Sequence, residues 1–372
     1  MPPLTTLPAS EKTRRDKVRR LVKKNGWGAF LATDEINVGY LTGFTGDSSF
    51  VVVGKDADIM ISDSRYTTQI EEECGPIAKE IRNSGSTTTR LLVKTLKSMK
   101  VTSVAVEAHK LQKSVYDQLQ KELGPIELVD THGVVEDLRA IKDSGELKEI
   151  RKSIDLAERT FSVIRSSLRG DQTEAEIAHN IEHQIRLFGG DRCAFEPIVG
   201  VGERAALPHA VKTQKRIEES PFVLIDWGAK AGRYMSDLTR VLITGKPSAK
   251  IEKIYNVVLE AQLRAIAKIK PGVSVAEVDR AARGYIEECG YGKRFGHGLG
   301  HGFGLQIHEN PFMSTISQNT LETGMVVTIE PGIYLPGWGG VRIEDDIFVT
   351  KTGHEVLTSV PKSFEDAIVT LP

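Results

Sequence analysis

Two apolar runs, Phe222-Val223-Leu224-Ile225-Asp226 and Val326-Val327-Thr328-Ile329-Glu330, each end on a carboxylate, and each is followed by a glycine-bearing turn and a second acid-bearing strand. The first run leads through Lys230-Ala231-Gly232-Arg233 to a strand over 234–243 that carries Asp237. The second leads through Pro336-Gly337-Trp338-Gly339-Gly340 to Val341-Arg342-Ile343-Glu344. Apolar runs of this length bounded by turn residues read as buried strands, and the turns close them into hairpins. A two-residue turn at Ala231-Gly232 would set Asp226 directly across from Asp237. Centring the other loop on Gly337 sets Glu330 across from Glu344. Like charges about 5 Å apart disfavour strand pairing, so two such pairs at the ends of buried strands point to cations between them.

Between the hairpins lies Gly296-His297-Gly298-Leu299-Gly300-His301-Gly302-Phe303-Gly304, continuing to His308-Glu309. Its glycines forbid a stable helix and let the backbone run close to a neighbour. Four carboxylates and one histidine make a hard, oxygen-rich donor set. It suits two divalent ions, manganese foremost, with cobalt, iron or zinc able to serve; calcium and magnesium rarely recruit histidine. A metal pair of this kind activates water and polarises a carbonyl, which is the design of a hydrolase.

The remainder of the chain frames that centre. With 372 residues, two domains are expected. Hydrophobic residues at 40% and charged residues at 27% exclude disordered and fibrous classes. A net charge of −1 gives no footprint for nucleic acid or an anionic membrane. Cys74, Cys193 and Cys289 lie far apart, without zinc or disulfide spacing, which fits a reducing cytoplasm. Residues 1–10 lack a leader pattern and no apolar run is long enough to span a membrane.

A basic helix over 10–25, read as a solvated face, is followed by strands at 29–32, 50–53 and 58–62, helices near 87–99 and 113–123, and strands at 103–107 and 128–130. This is a small α/β domain, with a cut expected near residue 135. Beyond it, a long helix over 146–167 and helices at 173–188, 249–269 and 274–289 alternate with glycine-rich, β-branched stretches, an α+β pattern. Thr173/Glu176 and Ser274/Glu277 match the capping box. His179-Asn180-Ile181-Glu182-His183 matches the inverted zinc-peptidase pattern, yet Ile177, Ile181 and Ile185 define the buried face of that helix, which leaves both histidines in solvent.

Taken with Leu207-Pro208-His209, Ser236-Asp237-Leu238-Thr239-Arg240, Ile329-Glu330-Pro331-Gly332 and Val341-Arg342-Ile343-Glu344-Asp345, these motifs resemble the pita-bread metallopeptidase family of creatinase, aminopeptidase P, prolidase and methionine aminopeptidase. Asn37–Phe44 and Asp63–Tyr66 resemble the creatinase-type amino-terminal domain of its proline-specific branch. The resemblance implies an α+β fold in which a smaller α/β creatinase-type domain, residues 1–135, precedes a pita-bread catalytic domain, residues 136–372. It implies metal ligation by Asp226, Asp237, His301, Glu330 and Glu344. Glu330, His209 and His308 would be catalytic, and His297 would line a proline pocket. Arg342 would orient a carboxylate or a substrate end.

The expected activity is that of an Xaa-Pro aminopeptidase using a metal-bridging hydroxide, with an Xaa-Pro dipeptidase, or prolidase, on the same site as the alternative. A creatinase-like amidinohydrolase or a non-catalytic binding module would lack the five ligands. The expected partners are proline-containing peptides and a second copy in a homodimer. Two departures from the family, Val201-Gly202-Glu203-Arg204 and Trp227, are expected to flank the cleft and bear on the residue before proline.

Overall fold

The computed structural model describes residues 10–372; the nine residues before these, which carry most of the stretch without a leader pattern, lie outside the described residues. Two compact units are present, one ending at Leu138 and the other running from Arg139 to Pro372. The sequence placed the cut near 135.

The amino-terminal unit is a six-stranded sheet in the spatial order Ala78–Arg82, Asp58–Asp63, Phe50–Gly54, Ala29–Ala32, Ser103–Glu107, Glu127–Thr131. Parallel pairs join Ala29–Ala32 to Ser103–Glu107 and that strand to Glu127–Thr131. Helices Thr88–Ser98 and Lys113–Glu122 cover one face, burying Leu92, Leu96 and Leu119 against Leu31, Val52 and Val104. Each such side chain contributes about 1.5–3 kcal/mol by leaving water. Helix Glu11–Lys24 departs from the solvated reading. Arg15 is buried, donating to Asp58 and to the Leu41 carbonyl, and Arg19 reaches Asp58 and the Gly54 carbonyl. Guanidinium forks spend part of the helix's positive charge on internal acceptors.

In the second unit, the long helix Ser144–Ser166 starts at Asp143, whose carboxylate accepts from Gly145 N and Glu146 N while Glu146 answers Asp143 N, a full capping box. Helix Glu174–Leu187 is capped likewise by Thr173 and Glu176. Ser274 makes no such side-chain bond. Its carbonyl instead accepts from Glu277 N, and its backbone bridges to Thr320, so the tertiary contact replaces the cap.

These two helices pack on one another and on Val223, Ile225, Trp227 and Leu238. Helices Ala249–Lys268 and Val275–Glu288 form a second pair, over a core that includes Leu224, Val241, Val327, Ile329 and Ile347. Strand Phe222–Trp227 therefore has apolar neighbours on both faces, its odd residues serving one helix pair and Phe222 and Leu224 the other. It is the middle strand of a three-stranded antiparallel sheet with Ile198–Val201 and Leu238–Ile243. A five-stranded sheet runs in the order Glu309–Met313, Gly300–Gly302, Val326–Ile329, Asp345–Val349, His354–Val356. The acids stand where these two sheets' strands end. Among the described residues no helix is long and apolar enough to cross a membrane.

Candidate active site

Both expected hairpins form, with different outcomes for their registers. In the second, Val326 faces Phe348 and Ile329 faces Asp345, while beyond the interruption Gly332 faces Arg342 and Leu335 faces Gly339. The register is the same on both sides, which sets Glu330 across from Glu344 as the loop centred on Gly337 requires. In the first, the turn is Gly232-Arg233 rather than Ala231-Gly232, with Ala231 facing Tyr234 and Gly232 in the left-handed region at φ +58°. Asp226 consequently faces Thr239, not Asp237. The correction is two residues, an even number, so Asp237 stays on the face of Asp226 as its diagonal neighbour. Gly228 makes the interruption possible, since a Cβ there would sit 1.9 Å from the Ser236 carbonyl oxygen.

The result is a buried acidic centre. Asp226, Asp237 and Glu344 each offer an oxygen, all within 4.8 Å of one another. His301 Nε2 lies 3.6 Å from Asp237 Oδ2 and 3.4 Å from Glu330 Oε1. His301 Nδ1 is 3.1 Å from the Gly302 carbonyl oxygen, which can only accept, so Nδ1 carries the proton and the Nε2 lone pair faces the carboxylates. Burial, then the neighbouring His308, pushes this imidazole down to about 3. Burial pushes Asp237 and Glu344 well above the usual carboxylate range, reinforced by the charges of neighbouring acids, and Glu330 up to about 8.

Three converging carboxylates, with an imidazole lone pair at their edge beside Asp237 and Glu330, need positive charge there. Each like-charged pair about 4 Å apart costs on the order of 4 kcal/mol at an effective dielectric of about 20. The protein supplies less than that. Thr239 Oγ1 donates to Glu344 Oε2 at 2.6 Å, and Arg342 Nη2 donates to Asp226 Oδ2; such bonds stabilise by about 1–3 kcal/mol each. Asp226 Oδ1 and Glu344 Oε1 are buried and accept no hydrogen bond among the described residues. The donor set, the orphaned oxygens and the aimed imidazole all fit divalent cations.

Around this centre stand the other residues singled out in the sequence. His308 is exposed, its ring 4.3 Å from that of His301 in an edge arrangement. His209, also exposed, lies close enough for its charge to act on Asp226, His297 and His308. His297 donates from Nδ1 to the Gly298 carbonyl at 2.7 Å, which leaves Nε2 to accept from Tyr334 Oη at 2.8 Å. Arg342 is buried, donating to Tyr334 Oη at 2.9 Å, to Thr239 Oγ1 at 3.1 Å and to Asp226. Of the two tasks the sequence left to it, orienting a carboxylate is the one this geometry supports.

Some participants went unread. Tyr334 joins His297 to Arg342, and strand alternation from Glu330 would have found it. Asp346 lies two residues from Glu344 on the same face; it is buried, accepts from Asp237 N at 3.4 Å, and has an Oδ1 without a partner among the described residues. Glu309 is buried between Arg139, at 2.6 Å, and Lys142, at 3.1 Å, and so anchors the turn that bears His308. Of the two departures, Trp227 does not flank the cleft as expected. Trp227 is enclosed on the opposite face of its strand, stacked 4.6 Å from Phe161 with Nε1 donating to the Ala157 carbonyl. Arg204 turns inward to Glu174. His179 and His183 are exposed, as the helix periodicity requires.

Known proteins share this two-domain fold. The Xaa-Pro dipeptidase of Pyrococcus horikoshii is 36% identical over 352 residues, covering 93% of this chain and 98% of its own. The solved structure of an Xaa-Pro dipeptidase from Bacillus anthracis superposes with a TM-score of 0.93 at 37% identity, covering 97% of this chain and all of that one. An X-Pro aminopeptidase structure from Thermotoga maritima gives a TM-score of 0.87 at 35% identity, covering 96% of this chain and all of that one. The creatinase/prolidase N-terminal domain model matches residues 14–141, and that of metallopeptidase family M24 matches residues 148–351, which hold every residue of the acidic centre. The chain therefore belongs to metallopeptidase family M24, a peptidase in which a creatinase-type amino-terminal domain precedes a pita-bread catalytic domain.

Proposed function

We propose that this protein is a metal-dependent Xaa-Pro dipeptidase, cleaving the single bond of a dipeptide whose second residue is proline. The observation that carries the metal dependence is the convergence of the Asp226, Asp237 and Glu344 carboxylates, beside which Asp226 and Glu344 each keep one buried oxygen with no partner among the described residues. The substrate reading is supported by the relatives from Pyrococcus horikoshii and Bacillus anthracis, both named Xaa-Pro dipeptidases. They favour the dipeptidase over the aminopeptidase that the sequence put first.

Asp226, Asp237, His301, Glu330 and Glu344 would hold two divalent ions, with manganese the first candidate. When bound, such ions supply Lewis acidity to the scissile carbonyl and lower the pKa of water. Glu330, a carboxylate when it ligates the ions and one whose burial raises its proton affinity, would take the proton that the attacking water releases and pass it toward the prolyl nitrogen. His308 and His209, on the solvent side of the centre, donate to the oxyanion. His297 has both ring nitrogens committed within the protein, so it meets the proline ring by packing rather than by hydrogen bonding. Arg342 holds the Asp226 carboxylate and the Tyr334 phenol in place.

The test compares an Xaa-Pro dipeptide with the matching Xaa-Pro-Yaa tripeptide in the presence of Mn²⁺, before and after chelation. Cleavage of the dipeptide with a much lower kcat/KM on the tripeptide is expected, lost on chelation and restored by metal. Preference for the tripeptide would make the protein an aminopeptidase. Undiminished hydrolysis after chelation would overturn the metal reading.

A further inference from the structure

The capping box at Thr173 accounts for Glu176 and leaves Glu174 unexplained. Glu174 opens the helix Glu174–Leu187, yet its carboxylate is fully buried and fully engaged. Oε1 accepts from Val201 N and Arg204 Nε, both at 2.9 Å. Oε2 accepts from Arg204 Nε at 2.9 Å, Thr213 N at 2.9 Å and Thr213 Oγ1 at 2.7 Å. Val201 and Arg204 precede His209 in the chain, and Thr213 follows it. One carboxylate thus ties together the two ends of the loop that bears this histidine. Arg204 reinforces the closure by donating also to the Val211 carbonyl.

The loop's other anchors are modest. Leu207, His209 and Val211 are exposed, the apolar side chains it buries are the small Ala205 and Ala210, and Lys212 pairs with Glu196, while fixing each backbone residue costs roughly 1–2 kcal/mol. On its inner side the loop leans on the catalytic hairpin. Arg342 Nη2 donates to the Pro208 carbonyl at 3.5 Å, and the Ala205 carbonyl oxygen would lie 2.2 Å from a Cβ on Gly340, a contact that only glycine permits. A loop anchored at its base and resting on the strand of Arg342 has one place to put His209.

We propose that Glu174 is a positioning residue, which acts through Arg204 and Thr213 to fix the 204–213 loop and aim His209 at the metal centre. This rests on the reading of His209 as an active-site group. Charge-assisted bonds to a buried carboxylate are the strong class of hydrogen bond, and an amide in its place would set two of its own N–H donors against the donors now satisfied.

The experiment is a double-mutant cycle with Glu174→Gln and His209→Ala, read as kcat and KM on an Xaa-Pro dipeptide with metal content measured alongside. In Glu174→Gln, kcat should fall roughly 10- to 100-fold, with KM and bound metal little changed. The double variant should be no slower than His209→Ala alone, because a histidine already absent cannot be misaimed. Effects that multiply, or wild-type kcat in a folded Glu174→Gln protein, would overturn the proposal. Arg204→Ala and Thr213→Val, at the rim of the cluster, serve if the buried substitution prevents folding, and should lower kcat in the same non-additive way. Amide hydrogen exchange over residues 205–212 should accelerate in Glu174→Gln. If His209→Ala proves as active as wild type, the reading of His209 fails and exchange alone judges the clamp: faster exchange sustains it and unchanged exchange overturns it.

Discussion

From Val326 to Val349 the second hairpin places both of its acids at the interruption between strand segments, directly opposed, whereas the first places only Asp237 there and leaves Asp226 within a strand opposite Thr239. The opposed pair, Glu330 and Glu344, has its charge managed by Thr328 and Thr239, whose hydroxyls donate to the two carboxylates. In the diagonal pair, Asp226 is held by Arg342, an arginine lent by the other hairpin. Two strand ladders thus reach the same centre by unlike routes. What they share is parity, since a shift of two residues leaves every side chain on its face and a shift of one would have dispersed the acids.

The largest expected effect tests whether the hairpins share one centre. Glu344 lies among the oxygens of Asp226 and Asp237, while Glu330 stands at the His301 edge. Glu344→Gln should lose both activity and bound metal. Glu330→Gln should lower kcat on the order of 10²- to 10⁴-fold, the span of a lost proton-transfer group. Metal analysis beside the rates decides the matter, and a Glu344→Gln protein that kept its metal would break the picture of a joint site.

A smaller effect concerns pH. Burial raises the folded Glu330 carboxyl from 4.5 to about 8, so this group holds more protons in the metal-free folded protein than in the unfolded chain, while His301, pushed from 6.5 down to about 3, and His297, pushed down to about 4, pull the other way below about 6.5. Above that pH the acid acts without this opposition, and stability should fall as pH rises from about 6.5 to about 8. Metal binding needs deprotonated ligands, so the gain on adding Mn²⁺ should grow over the same interval. Denaturant midpoints with and without chelator would show the two trends diverging; parallel trends would mean that the acids are not where the charge problem lies.

The smallest effect falls on the far face of the first hairpin. Trp227→Phe should destabilise by about 1–3 kcal/mol, through lost packing and an unmet Ala157 carbonyl, and leave kcat within about twofold. An altered preference for the residue before proline would instead put Trp227 on the cleft side.

How much of this was readable depends on which residues are asked. The Gly337-centred loop announced its own register, because glycine and proline cluster there and the strands on either side are apolar. The other turn misled by one position, since Ala231-Gly232 and Gly232-Arg233 both offer the glycine that a tight turn needs, and only the backbone shows which residue takes the left-handed conformation. Thr173 capped its helix as its spacing required, and Ser274, with the same spacing, did not, because the loop segment at Thr320 had already claimed its backbone. Arg15 falls in a helix read as a solvated face and Arg204 in a stretch expected to flank the cleft; each proved to be an internal donor whose acceptor is tens of residues away.

By itself the sequence determined the nature of the centre: acids at the ends of apolar strands, turns that fold them back, and a period of two that keeps them on one face. Those are local rules, and spacing encodes them. Only the tertiary structure decided how the acids are endured and aimed. The proton on His301 Nδ1, the reach of Arg342 to Asp226 and the hold of Glu174 on the His209 loop each join residues by geometry that spacing leaves open. Burial is what makes those contacts matter, because in a low-dielectric interior each misplaced charge costs more than any one local preference supplies.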